Sequence, residues 1–383
     1  MTPGGGVERV EALVIGAGPA GLASAQCLGA LGVHATILEK ADNVGAVWRG
    51  HYDRLHLHTP RASSSLPGLW MPRSFGRYPS RDQVVAYLET YAATFRLKPR
   101  FDVRVGAVRR AGEGWRVEAG ALTFEARIVV VAVGWASFPN LAFFPGQERF
   151  VGASFHSSAY RNGSEFKGKR VLVVGFGNSG AEIALDLCES GAQAALSVRS
   201  PVRILPRDLF GAPIVNFALM QKALPAKLAD AINAPIIRLA LGAPEDIGLV
   251  QSAKGPAQMV EEDGKIPVLD VGTVAKIRAG EIKTYPGIAK FDSSGVTFVD
   301  ARRADFDAVI FATGFKPDYR ALLPDAPETL DARGMPVITD RRTSAPGLYF
   351  VGARAAATGQ LREIGIGARR VAKDARAFLR TVK

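Results

Sequence analysis

Twice along the chain a short apolar run meets a glycine-rich turn and then an Ala- and Leu-rich stretch, and few folds can use that arrangement. The first copy opens with Glu11 to Ile15, which reads as a buried strand. Gly16-Ala17-Gly18-Pro19-Ala20-Gly21 follows, then Leu22 to Leu31 with helical character, Gly32 as a stop, and His34 to Leu38 as a second strand closing on Glu39. Each glycine answers a separate need. Gly16 permits a tight turn, Gly18 lets backbone approach a pyrophosphate, and Gly21 lets helix and strand pack closely. The exposed N–H groups at the start of the helix then face the pyrophosphate. Glu39 is placed to accept hydrogen bonds from an adenosine ribose whose hydroxyls are free.

The second copy runs from strand Val171 to Val174 through Gly175-Phe176-Gly177-Asn178-Ser179-Gly180. A helix continues past Leu187 and Cys188, a turn falls at Gly191, and Ala194 to Val198 forms the next strand. The internal spacing nearly repeats, but the closing residue changes from Glu39 to Arg199. A carboxylate there repels a 2′-phosphate, whereas a guanidinium binds one through charge-assisted hydrogen bonds. The first site is therefore expected to take a dinucleotide with a free 2′-hydroxyl and the second NADP(H), with Arg203 and Arg207 close enough in sequence to assist.

A chain of 383 residues has room for two such domains. Further strand-like runs appear at Ile128 to Val133, Thr273 to Ile277, Val296 to Val299, Ala308 to Phe311 and Gly347 to Gly352. Leu205 to Ala257 reads as helical in pieces, and Thr358 to Leu379 as a terminal helix. The expected class is α/β, with two Rossmann-like dinucleotide-binding domains, the NADP domain inserted into a discontinuous FAD domain. Residues 1–150 would form the first part of the FAD domain, 151–304 the NADP domain with its crossing segments, and 305–383 the second part of the FAD domain.

Composition narrows the function classes. The net charge is +12, but the Lys and Arg are scattered without a run of five, which argues against a nucleic-acid surface. No stretch approaches the roughly 18 consecutive apolar residues of a membrane span, so no membrane insertion is expected. The N-terminal residues lack the apolar core of a signal peptide. Two cysteines, Cys27 and Cys188, fit a reducing, cytoplasmic setting and offer neither a disulfide framework nor a metal site.

Between the two glycine motifs, Phe150 to Tyr160 fits F-x-G-x-x-x-H-x-x-x-Y through Phe150, Gly152, His156 and Tyr160. Tyr52-Asp53-Arg54-Leu55, Val198-Arg199-Ser200, Leu205-Pro206-Arg207, Pro267 to Gly272 and Ala312-Thr313-Gly314-Phe315 add further ordered matches. With these motifs the sequence resembles the class B flavin-containing monooxygenases over nearly its whole length. Within them it looks most like the YUCCA-like branch, the indole-3-pyruvate monooxygenases, and short bacterial relatives. The resemblance implies an NADPH-dependent enzyme whose reduced FAD captures molecular oxygen as a C4a-(hydro)peroxide. One oxygen atom then passes to a small-molecule substrate: a sulfide, an amine, a ketone or a 2-oxo acid. It leaves room for a homodimer.

The same resemblance carries cofactor contacts onto Pro19, Ala20, Lys40, Val47, Trp48 and Val105 on the FAD side. It adds Gly352, and Leu361 at the start of the last helix over the pyrimidine end of the flavin. Ser200 and Arg207 join Arg199 on the NADP side, and Thr313 and Gly314 mark a strand end. Gly45-Ala46-Val47-Trp48-Arg49 departs from the family's G-G-x-W-R by one glycine. His58 stands where animal-type members carry asparagine near the reactive edge of the flavin, and it is the first catalytic candidate because imidazole both donates and accepts protons. His156 is expected mainly to organise the two domains, with direct catalysis as its second reading. The alternative function is an FAD-dependent NADPH:acceptor oxidoreductase without oxygenation. Its disulfide-reducing version needs a redox cysteine pair that the sequence lacks.

Overall fold

The computed structural model describes residues 6–136, 138–221, 224–356 and 358–381. The chain folds into two compact units. One comprises Met1–Gly50, Thr59–Phe138 and Lys316–Lys383; the other comprises His51–His58 and Pro139–Phe315.

In the first unit, strand Val7–Ile15 lies between Ala35–Leu38 and Leu122–Val131, parallel to both. A parallel neighbour requires a crossover, and helix Pro19–Gly29 supplies it. Strand Leu122–Val131 changes partner along its length. Its beginning pairs antiparallel with Gly114–Ala119, and its last three residues pair parallel with Leu348–Phe350. Helix Gln360–Thr381 packs on Pro19–Gly29. Both helices bury small residues, Ala368, Ala372 and Ala375 in one and Ala20, Ala23 and Ala25 in the other, which suits close helix packing. The sequence reading passed over two elements here. The hairpin Ala107–Ala111 and Gly114–Ala119 is one, and helix Arg81–Thr94, entered through a Ser80/Gln83 capping box, is the other.

The second unit contains a five-stranded parallel sheet in the order Lys283–Tyr285, Gln193–Ser197, Arg170–Val174, Ala308–Phe311, Ala153–His156. Both faces are covered, which is why the central strands read as unbroken apolar runs. Side chains alternate between two cores. Val171, Val173 and Ile310 enter a cluster with Ile183 and Leu187 of helix Asn178–Glu189, whereas Leu172, Val174 and Phe311 enter a cluster with Phe150, Phe291, Phe298 and Phe306.

Three expectations are corrected. Ala308–Phe311, placed by sequence position after a boundary at 305, is a central strand of the second unit. Its register is set beside Arg170–Val174, where the preceding Asp307 also pairs with the Arg170 guanidinium. Phe150 and the segment His51–His58 likewise belong to the second unit, where Tyr52 is buried in the helix-side core. Thr273–Arg278 is a helix rather than a strand. Gly272 turns into it at φ +125, Asp270 accepts the Val274 N–H at 2.9 Å, and Thr273, Val274 and Ile277 form one buried stripe. Among the described residues, no helix is long and apolar enough to cross a membrane.

Candidate functional site

The two glycine turns share their backbone geometry. Gly16 has φ +108 and Gly175 φ +109, a region closed to most side chains. A Cβ on Gly16 would lie 2.7 Å from the Ala132 carbonyl oxygen, and one on Gly175 would lie 2.6 Å from that of Ala312, the equivalent position after the neighbouring strand. A Cβ on Gly21 would collide with the Gly16 carbonyl oxygen, and one on Gly180 with that of Gly175. The middle glycines differ. Around Gly18 and Gly177 nothing lies within 4 Å of an added Cβ. The protein itself has no use for a bare backbone at these two positions, and a pyrophosphate does. Both head a helix as N-cap residues without a side-chain cap, leaving helix N–H groups for an anion. Pro19 takes the first helical position, where its missing donor costs nothing.

In the first unit, Glu39 is buried and its carboxylate accepts from the Ala17 N–H at 2.6 Å and the Ala41 N–H at 3.0 Å. It is thereby locked beside the glycine turn, with lone pairs to spare for a ribose. The Gly45 N–H donates to the Ala17 carbonyl, which brings the short helix Ala46–Arg49, with Val47 and Trp48, alongside the same turn. Gly352 (φ +71) packs against Ala20 and Ile364, and Leu361 is buried in the first turn of the last helix. Lys40 is exposed and Val105 half-buried. Among the described residues of this unit, three buried side-chain oxygens lack a partner: Asn43 Oδ1, Asp340 Oδ1 and Gln360 Oε1. Orphaned buried acceptors are costly, so this unit fits a hydroxyl-rich ligand such as FAD.

In the second unit, Arg199 is exposed and makes no ion pair among the described residues, so its guanidinium is open to a phosphate. Ser200 is exposed beside it. Arg207 pairs with Asp208 at 3.4 Å, and Arg203 is spent on the carbonyls of Ser252 and Lys254. Asn178 is also committed: its amide bridges the Pro267 carbonyl and the Leu269 N–H, so only its backbone remains for a dinucleotide. Thr313 and Asn140 bond each other's carbonyls across the strand end, and Gly314 turns there at φ +77.

His156 has both ring nitrogens occupied. Nδ1 accepts from the Ser158 N–H at 3.1 Å, and Nε2 lies 3.0 Å from the Gly314 carbonyl oxygen, which it can only reach as a donor. The second reading of His156, direct catalysis, therefore has no free nitrogen to work with. Burial lowers its pKa below the usual value. The folded state thus prefers neutral His156, so its contribution to stability is complete above about pH 6.5 and is lost as pH falls through the lower folded value. His156→Gln should flatten that acid limb of stability. Thermal melts of both proteins between about pH 7 and pH 5 should converge toward the acid end; parallel curves would sink the assignment.

His58 sits differently. Its Nε2 lies 2.5 Å from Oε1 of Glu182, a residue the sequence reading did not single out. Glu182 belongs to helix Asn178–Glu189 and is only 3 % exposed. The Tyr52 hydroxyl is buried near the same carboxylate, and burial together with the Glu182 charge pushes its pKa well up. The available signal was a carboxylate on the apolar stripe of a helix, which no amphipathic pattern explains. Both thiols are held protonated: burial lifts Cys27 to about 11 and also raises Cys188.

The chain matches the pyridine nucleotide-disulphide oxidoreductase family over residues 13–206. It is 40% identical to the indole-3-pyruvate monooxygenase YUCCA1 of Oryza sativa subsp. japonica over 348 residues, covering 89% of this chain and 86% of that protein. The chain belongs to the YUCCA-type flavin monooxygenases. A second such relative, YUCCA6 of Arabidopsis thaliana, is 38% identical, with 89% and 84% covered. A flavin-containing monooxygenase from Stenotrophomonas maltophilia shares the fold at TM-score 0.74 with 25% identity, covering 97% of this chain and all of that one. This YUCCA-type chain is thus an NADPH-dependent flavin monooxygenase with FAD and NADPH as cofactors.

Proposed function

We propose that the enzyme oxygenates a small aryl 2-oxo acid in the cytoplasm, with FAD on the Gly16–Gly21 turn and NADPH on the Gly175–Gly180 turn. The observation that carries the cofactor assignment is one backbone device used twice, closed by opposite charges at Glu39 and Arg199. The substrate class follows the two plant relatives, which are indole-3-pyruvate monooxygenases. Bound FAD would supply two-electron reduction by NADPH and activation of oxygen.

The chain's own residues hold and align. The open glycines admit the pyrophosphates, Glu39 takes the ribose hydroxyls, and Arg199 reads the 2′-phosphate. His58 is the histidine we assign to the oxygen-transfer step, through the ring nitrogen not facing Glu182. The overall reaction balances: the C1–C2 bond of the 2-oxo acid breaks and carbon dioxide leaves. One oxygen atom stays in the shortened carboxylic acid, the other becomes water, and NADPH provides the electron pair.

Turnover of indole-3-pyruvate or phenylpyruvate under labelled oxygen is the test. One labelled atom should enter the acid for each NADPH consumed. His58→Ala should lower acid formed per NADPH by roughly 100-fold, within the range for a lost acid–base group, with hydrogen peroxide making up the difference. Unlabelled product, or fast turnover with a quinone instead of oxygen, would replace this reading with the acceptor oxidoreductase.

A further inference from the structure

Glu182 stands two residues beyond the last glycine of the second turn, flanked by fully buried Ala181, Ile183 and Ala184. Dinucleotide binding requires no charge there, and packing would favour an apolar side chain. A carboxylate in such surroundings is tolerated only when paired and hydrogen-bonded. Its hydrogen-bond partner is on the segment His51–His58, the His58 ring through Nε2, and the buried Tyr52 of the same segment lies near the carboxylate. The His58–Glu182 bond ties this segment to helix Asn178–Glu189. The other charged groups of the segment are engaged elsewhere, Arg54 with Glu189 and Asp53 with Asn162. His58 Nδ1 has no hydrogen-bond partner among the described residues.

We propose that Glu182 is a positioning residue for His58. A carboxylate can only accept, so the ring presents Nε2–H to Glu182 and Nδ1 becomes the bare nitrogen. The atom of His58 that takes or returns a proton during oxygen transfer is then Nδ1, at a fixed orientation. This inference rests on the assignment of His58 to that step, and its tests separate the two.

The direct test is nitrogen-15 NMR of the histidine rings in the apoprotein, where five histidines keep the spectrum assignable. His58 should show a slowly exchanging Nε2–H and an unprotonated Nδ1. Glu182→Gln, which keeps an acceptor oxygen, should preserve this pattern, and Glu182→Leu should give averaged shifts and a fast-exchanging proton. A proton on Nδ1 in the wild-type protein would overturn the proposal, and this measurement stands even if Glu182→Leu does not fold.

In the holoenzyme, Glu182→Leu should lower acid formed per NADPH by about 10-fold or more, and Glu182→Gln should recover it to within about 3-fold. Added to His58→Ala, Glu182→Leu should cost less than about 2-fold, because a residue acting through another loses its effect when that residue is gone. An undiminished cost in the His58→Ala background would show that Glu182 acts by another route. Unchanged acid yield in His58→Ala alone would instead remove the catalytic role of His58, leaving the ring tautomer to decide what Glu182 does.

Discussion

Gly18→Val should give a folded, nearly colourless protein. The added Cβ meets no protein atom within 4 Å, and the Gly18 backbone at φ −80, ψ −174 is ordinary extended geometry. It would occupy the path of the pyrophosphate. Losing two charge-assisted hydrogen bonds at about 1.5–3 kcal/mol each weakens FAD binding by roughly 100-fold or more. The apoprotein's melting temperature should stay within about 3 °C of apo wild type, the shift expected for a few tenths of a kcal/mol. Gly21→Ala is the contrast. Its Cβ would collide with the Gly16 carbonyl oxygen, so the apoprotein itself should melt lower. Gly177→Val, the same change in the second turn, should retain FAD and lose NADPH. Stoichiometric flavin in purified Gly18→Val would count against the assignment of this turn.

Arg199→Ala should abolish most of the preference for NADPH over NADH. Arg199 is exposed without an ion pair among the described residues, whereas Arg203 is consumed by carbonyls and Arg207 pairs with Asp208. The 2′-phosphate is therefore left to Arg199 as its main reader. One charge-assisted bond at about 1.5–3 kcal/mol corresponds to a roughly 10- to 150-fold fall in the ratio of kcat/KM values. The loss should appear in KM for NADPH, with NADH kinetics almost unmoved. An unchanged ratio would show that a different basic group reads the phosphate.

Both predictions rest on features legible in the sequence, for a physical reason. A glycine turn, its helix and its closing strand lie within some 25 residues, and each glycine is demanded by local sterics or by the ligand. Strand partnership is not local. Ala308–Phe311 was visible as a strand, but its place beside Arg170–Val174 depends on a pairing across most of the second unit. His51–His58 falls by sequence position inside the expected FAD domain and instead completes the other unit. In Thr273–Arg278, β-branched residues suggested a strand, and the Asp270 cap with a helical buried stripe overrode that propensity. Glu182 is not legible in the same way, because the dinucleotide motifs define charges at their ends and say nothing of the buried face of the helix between them.

The eight residues His51–His58 also decide how the protein can be made and rebuilt. Tyr52 leaves the ribosome well before Val171, Ile183 and Ile310, the core neighbours it must wait for. The first unit, in turn, is unfinished until helix Gln360–Thr381 emerges. The second unit therefore cannot close before Phe315 is made, nor the first before the last helix. A gene fragment spanning 139–315 would lack Tyr52 and His58, leaving a void in its core and a buried Glu182 without its His58 partner. Neither unit is a portable cassette, and cofactor preference in this enzyme has to be changed one side chain at a time rather than by exchanging domains.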